Sequence, residues 1–228
     1  SQNTINESAP RTTFLVDGSY TGKNQYDVYY CGTNSGVGEK KVVIADKQTQ
    51  VAFNNTKHFG AAGDCGVAKA TNTTVSGKSG YRFDLEHKAS YLCFLPYMAF
   101  KVQRANFRIQ RIEITSDNSI AGTYDLTQSG LSDAGSSKTI TLNVGRDGLK
   151  LADQATATKS IKNSLYVVIA PGIHALKVKY TVLDAKNTVM EITKSYKSHN
   201  FGDNKICDIP VNLGVRHYSG HNYYMWDA

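Results

Sequence analysis

The chain has 228 residues, 40% of them hydrophobic and 20% charged, and its 26 Lys and Arg against 19 Asp and Glu give a formal net charge of +7. This composition is typical of a folded chain and not of a disordered one, and the length suits two modest domains. No stretch approaches the roughly 18 apolar residues of a membrane helix, and the first residues lack the apolar region of a signal peptide, so we expect a mature or shortened form.

Short runs rich in β-branched and aromatic residues, separated by Gly, Asn and Asp, follow one another along almost the whole chain. No segment keeps the helical spacing of apolar residues for three turns. This pattern predicts an all-β fold built as antiparallel sandwiches. In chain order, the predicted strands are Thr13–Val16, Tyr26–Tyr30, Lys41–Ala45, Gln50–Phe53, Tyr81–Leu85, Ser90–Leu95, Phe107–Thr115, Gly122–Leu126, Lys138–Val144, Ser164–Ala170, Ala175–Leu183, Thr188–Tyr196 and Lys205–Leu213.

Two intervals depart from simple alternation. The apolar positions change strand parity from Phe107 and Ile109 to Ile112 and Ile114, which predicts a β-bulge or a twist between the two pairs. Ala61–Gly80 is rich in Gly, Thr, Ser and Asn, and we predict that it is the longest loop.

The positive charge is dispersed along the chain. Its densest run interleaves basic and aromatic residues in a pattern that nucleic-acid-binding faces also use. No recognised binding module frames this run, so we predict the solvated outer face of a strand and no nucleic-acid partner. The basic residues of the run are Lys101, Arg104, Arg108 and Arg111.

The four cysteines have no C-x-x-C spacing, which argues against a zinc ribbon or a thioredoxin-type site. Cys93 lies in an apolar run and Cys207 shares strand parity with Ile209, so we expect both thiols to face inward. Cys31 and Cys65 lie beside glycines in loop-like sequence, where a disulfide between them can form in an oxidising compartment. Four cysteines allow three connectivities, and reduced core thiols are the alternative.

Catalytic signals are weak. Gly77-Lys78-Ser79 resembles the end of a phosphate-binding loop, but a strand follows where a helix has to begin. His217 and His221 have the i, i+4 spacing that would place two metal ligands together on a helix, but the surrounding sequence predicts a strand. His87 fits a buried or half-buried hydrogen-bonding histidine. We therefore predict no catalytic residues, no cofactor site and no metal site.

The C-terminal tail is dense in aromatic side chains. Such residues either pack as a final strand or bind a partner, by contacting a neighbouring subunit or by stacking on a sugar. The candidate partner or glycan contacts are Tyr218, Tyr223, Tyr224 and Trp226.

Several stretches resemble the fimbrillin-like family of Bacteroidetes cell-surface proteins. Residues 81–96, YRFDLEHKASYLCFLP, are similar to the strand pair with a histidine and a small residue that closes the family's first domain. Residues 107–126 resemble its "strand, then I-x-G-x-Y/F" continuation, and residues 164–180 resemble its "YxVIxPG" strand and the amphipathic strand after it. The ending YYMWDA, 223–228, resembles the endings of several members. The resemblance covers about residues 81–228, while the earlier part matches mainly by position and composition.

The resemblance implies two tandem transthyretin-like, Greek-key sandwiches, which we place at residues 1–103 and 104–228. It implies a non-enzymatic fimbrial (pilus) subunit or adhesin, exported as a lipoprotein and held in the outer membrane by a lipid anchor on the precursor. Its place is the extracellular face of the outer membrane or the fimbrium, and its partners are other fimbrial subunits or host and bacterial surface ligands. A surface-exposed glycan-binding lipoprotein is the alternative.

In polymerising members of that family, an arginine-directed protease removes an N-terminal segment, and a strand from the next subunit fills the groove. Arg11 precedes the first predicted strand here, and cleavage there would remove too short a segment to empty a groove. Main-chain hydrogen bonds and alternating side-chain pockets make such strand donation physically reasonable.

Overall fold

The computed structural model describes residues 22–35, 40–75, 77–99, 107–132, 135–151 and 163–214. The all-β prediction is confirmed, because nearly all regular structure in these ranges is extended and the single helix has one turn. The elements are β1 (Gln25–Tyr30), β2 (Lys41–Ile44), β3 (Lys47–Gln50), α1 (Phe59–Ala62), β4 (Gly66–Val75), β5 (Lys78–Arg82), β6 (Glu86–His87), β7 (Ser90–Tyr97), β8 (Arg108–Ser116), β9 (Gly122–Thr127), β10 (Gly130–Ser132), β11 (Thr139–Val144), β12 (Leu149–Lys150), β13 (Leu165–Ile169), β14 (Gly172–Leu183), β15 (Val189–Phe201) and β16 (Lys205–Asn212). Within these ranges, no helix is long and apolar enough to cross a membrane.

The strands form four sheets. The largest has the order β15-β14-β8-β11-β3, with β12 paired to β8, and a second has the order β13-β7-β16. A third sheet, β10-β9-β2, and a fourth, β1-β4-β5 with β6 paired to β4, complete the described fold. Two ladders are parallel, β11 with β3 and β16 with β7, whereas the sequence predicted antiparallel pairing only. Parallel neighbours need long crossover connections, and strand patterns do not reveal these.

The six-stranded sheet and the β13-β7-β16 sheet face each other across one continuous core. Alternate residues of β8 and β14 are fully buried, as the period of two requires when one face of a strand meets another sheet. Phe94 of β7 packs edge-on against Tyr180 of β14, with ring centroids 5.9 Å apart. Both side chains are completely buried, so this contact lies at the centre of the sandwich.

Strand pairing crosses the predicted domain boundary at residues 103 and 104. β2 pairs with β9, β3 pairs with β11, and β7 pairs with both β13 and β16. Strands from both predicted domains therefore share sheets. The strand pairing does not separate the chain at residue 103, and the two-domain division stays a prediction.

The predicted bulge is confirmed. Thr181 of β14 faces Arg111, but the next residue, Val182, faces Ile109, so Gln110 is the extra residue of β8. This single insertion keeps Ile109 and Ile112 on the same buried face.

The predicted loop at Ala61–Gly80 is wrong, because the ten-residue strand β4 lies inside it and is the central strand of its sheet. Its threonines are β-branched and fit a strand despite their polarity, and the sheet partners on both sides supply the hydrogen bonds.

Candidate strand-docking edge

The outer edge of β13 is closed by two glutamine side chains from β3. Gln48 Nε2 donates to the Val168 carbonyl at 2.7 Å, and the Val168 N–H donates to Gln48 Oε1 at 3.0 Å. Two residues further along β3, Gln50 Nε2 donates to the Ser164 carbonyl at 3.0 Å, and Gln50 Oε1 accepts from the Tyr166 N–H at 2.7 Å. These carboxamides take the place of a neighbouring strand, so β13 has no free edge for a partner.

The outer edge of β15, in contrast to that of β13, is not covered by any described strand. The strand pairs with β14 along its whole length. Three half-buried side chains with the same strand parity lie along it, and we call Met190, Ile192 and Tyr196 the edge row. Ile192 and Tyr196 pack against the core cluster. The edge row is therefore the rim of the core, left partly uncovered where the sheet ends.

β16 also carries no described strand on its outer edge. Ile209 and Val211 point into the core, whereas Ile206 is 57% exposed. Pro210 has no N–H to donate, and proline in a sheet is typical of an edge strand.

The two free edges lie on the same side of the sandwich. β3 and β13 are joined by the two glutamines, and Phe94 of the central strand β7 lies against Tyr180 of β14. β16 lies on the side of β7 away from β13, and β15 lies on the side of β14 away from β3. One side of the sandwich is closed by glutamines. The other side has two strand edges with which no described strand pairs, and the edge row lies there between solvent and core.

The free edge of β15 carries positive charge. Lys194 and Lys197 are exposed on it, while Glu191 is paired with Lys179 at 3.2 Å. Lysine on an edge strand discourages indiscriminate pairing, and it favours a partner strand that carries carboxylates.

A second polar cluster lies between α1 and β7. Asp64, 8% exposed, accepts hydrogen bonds from His87 Nδ1 at 2.8 Å and from the Tyr91 hydroxyl. The hydrogen bond that His87 donates to Asp64 raises the pKa of His87, against the effect of burial. Burial and the Asp64 charge raise the pKa of the neighbouring Cys65 thiol to about 12. A thiol with that pKa is protonated at neutral pH. The hydrogen bonds of Asp64 to His87 and Tyr91 hold the segment after α1 against β6 and β7.

No other described feature has the form of a binding site. No group of three His, Cys, Asp or Glu side chains among the described residues is placed to share a metal ion. An open depression of about 240 Å³, lined by Arg108, Lys150, Asp184 and Ala185, is smaller than the roughly 300 Å³ from which small-molecule sites usually start.

The structure gives different outcomes for the site residues predicted from the sequence. The predicted contacts Tyr218, Tyr223, Tyr224 and Trp226, and the histidines His217 and His221, lie outside the described residues. His87 is the hydrogen-bonding histidine that was predicted. Cys31 and Cys65 are free thiols in the structure, and the disulfide between them stays a prediction.

The prediction of a buried core thiol is confirmed for Cys93, which lies on the face of β7 opposite to Phe94. Cys93 pairs in register with the exposed Asp208, whereas Phe94 pairs with Ile209 on the core side, so the Cys93 side chain points to the other face of the sheet. It is nevertheless buried. Cys207 packs against the core as expected. β7 is buried on both faces, so its sequence has no alternation that could have separated them.

The glutamines that close β13 were missed. Gln50 was assigned to a predicted strand, but no sequence pattern reports a carboxamide that pairs with the backbone of a strand more than a hundred residues away.

No protein-family model matches the chain, and no curated protein sequence is significantly similar to it. The fold is similar to the crystal structure of a candidate cell adhesion protein from Bacteroides uniformis, with a TM-score of 0.43 and 14% sequence identity. The likeness covers 83% of this chain and 68% of that one. At this level it assigns neither a family nor a function.

Proposed function

We propose that this protein is a non-enzymatic cell-surface subunit or adhesin that associates with a second copy of itself by adding an extended strand at the free edge of β15. The observation that carries the proposal is the asymmetry of the sandwich. One side is closed by Gln48 and Gln50, while the other has two strand edges with which no described strand pairs and a partly uncovered edge row.

The free edge offers what strand addition requires. β15 is 13 residues long, so its backbone supplies a long row of hydrogen-bonding groups. Side-chain alternation in an added strand would place every second residue over the edge row, which buries apolar area and sets the register. The exposed Lys194 and Lys197 favour an acidic partner strand, which makes the pairing selective.

The direct test is Ile192→Lys, which places a charge in the edge row. We expect purified wild type, before or after limited digestion with an arginine-specific protease, to form oligomers in light scattering coupled to size-exclusion chromatography. Ile192→Lys should reduce the oligomer fraction at least several-fold, because an added strand would bury an unpaired ammonium group.

The matched control is Thr193→Lys, which adds the same charge on the exposed face of the same strand. It should leave association unchanged. Melting temperatures of both variants show whether Ile192→Lys remains folded, and Met190→Lys provides a second position at the strand end. A wild type that stays monomeric in every condition, or equal loss in the two lysine variants, contradicts the proposal.

Surface export, a lipid anchor and fimbrial assembly follow from the sequence resemblance and are part of the same proposal. The glycan-binding alternative depends on the aromatic tail at residues 218–226, which lies outside the described residues, so it stays a prediction.

A further inference from the structure

Cys31 and Cys65 are brought opposite each other by the pairing of β1 with β4. In this antiparallel ladder, Gln25 faces Thr71 and the last pair is Tyr30 with Gly66. One further step along both chains brings Cys31 opposite Cys65. Residues directly opposite in an antiparallel pair have side chains on the same face and Cα atoms about 4.5 to 5.5 Å apart, within the range of about 4.4 to 6.8 Å found for disulfides.

The two chains stay in contact beyond the end of the ladder. A Cβ atom built on Gly32 would lie 2.8 Å from the carbonyl oxygen of Asp64, the next facing pair, so the backbones touch there. On its other side, Cys65 is held by the Lys88 N–H, which donates to the Cys65 carbonyl at 2.9 Å. The register is thus fixed on both sides of the cysteine pair.

We propose that Cys31 and Cys65 form a disulfide that ties the end of β1 to the start of β4 when the protein meets an oxidised thiol–disulfide oxidoreductase. The Cys31 thiolate attacks one sulfur of the donor's disulfide and forms a mixed disulfide. Cys65 then loses its proton and attacks the Cys31 sulfur, and the donor leaves as a dithiol. The two protein thiols lose two electrons and two protons, and the donor's disulfide gains them.

The surroundings of the two thiols favour this order of attack. Cys31 is half-buried and can reach a donor, whereas Cys65 is completely buried. Burial raises the pKa of both thiols, and the neighbouring Cys31 contributes to the rise at Cys65. The half-buried thiol of Cys31 is therefore the one that reacts with the donor, and the buried thiol of Cys65 resolves the mixed disulfide.

The other two cysteines provide an internal control. Cys93 and Cys207 lie on neighbouring strands, but Cys207 pairs in register with Leu92 and Cys93 with Asp208. Their side chains consequently point to opposite faces of the sheet and cannot bond in the folded protein.

The test is to equilibrate the folded full chain in buffers of oxidised and reduced glutathione, block free thiols by alkylation, and map non-reduced peptides by mass spectrometry. We expect a single cross-linked peptide pair containing Cys31 and Cys65, with Cys93 and Cys207 alkylated after unfolding. The closed loop of about 34 residues should raise the melting temperature of the oxidised form by roughly 5 to 15 °C over the reduced form.

Cys31→Ser is the variant of choice, because the buried Cys65 is the riskier residue to replace. Its melting temperature should be the same in oxidising and reducing buffer. Cys207→Ser should keep the full shift. Alkylation of both Cys31 and Cys65 at the oxidising limit, a native cross-link to Cys93 or Cys207, or an equal shift in Cys31→Ser would overturn the proposal.

Discussion

The carboxamide of Gln48 and the peptide groups of Val168 exchange two hydrogen bonds, at 2.7 and 3.0 Å, between side chain and backbone. Gln48 is 2% exposed, so both bonds lie in the dry interior. The N–H and C=O of an edge strand would otherwise be buried without partners or offered to another chain. This contact makes β13 a closed edge, and for that reason we propose association at the opposite side of the sandwich.

Replacing Gln48 by Leu should destabilise the protein. The side chain keeps its approximate volume, but the N–H and C=O of Val168 are left buried and unpaired, at a cost of about 2 to 4 kcal/mol in the free energy of unfolding. Urea unfolding measures the change. Thr49→Ala, at an exposed position of the same strand, should cost well under 1 kcal/mol. A Leu variant as stable as wild type would show that these bonds do not hold the edge.

Gly63 is required by both its conformation and its surroundings. Its φ is 110°, and an added Cβ would lie 2.6 Å from the Ile44 Cα and 2.7 Å from the Val43 carbonyl oxygen. These are backbone atoms that cannot move aside cheaply, so we expect Gly63→Ala to cost about 2 to 4 kcal/mol.

Gly77 is the matched control for Gly63. Its φ is 76°, but an added Cβ would meet nothing within 4 Å. Gly77→Ala should therefore cost only the left-handed strain, about 1 kcal/mol. Thermal unfolding of the two variants separates the cost of backbone strain from the cost of the steric collision at Gly63. Equal losses of stability in the two variants would contradict that collision.

His87 should make stability depend on pH. The hydrogen bond that His87 donates to Asp64 raises the pKa of His87 from its ordinary value, so the folded state holds the proton more tightly than the unfolded state. This contribution is fully present below the unfolded-state pKa and is lost as the pH rises through the folded-state pKa. The His87 side chain is 40% exposed, so solvent screening keeps the effect modest.

The measurement is the free energy of unfolding from about pH 5.5 to pH 8.5 for wild type and His87→Gln. The advantage of wild type over the variant should shrink as the pH rises. His199→Gln, which removes an exposed histidine of β15, should follow the wild-type profile. A difference between wild type and His87→Gln that grows with pH would reverse the assigned direction.

The local features of this fold could be predicted because each of them depends on residues only a few positions apart in the chain. Alternation of apolar residues indicates which face of a strand is buried. In β8, the change from odd to even apolar positions indicates an inserted residue. The strand β4 escaped detection because its threonines have strand propensity without the apolar alternation that strand prediction depends on. β7 is buried on both faces, which removes the apolar alternation from its sequence. The sequence therefore did not indicate on which face of β7 Cys93 lies.

The sequence by itself determined that the chain is all-β, where most strands lie, and where the bulge falls, because these depend on residues a few positions apart. Only the tertiary structure decided that β3 and β7 join strands from beyond residue 103, that Gln48 closes the edge of β13, and that Tyr30 pairs with Gly66 beside the two cysteines. Each of these depends on a register between segments far apart in the chain. That register is set by the packing of the whole core and leaves no periodic trace in the sequence.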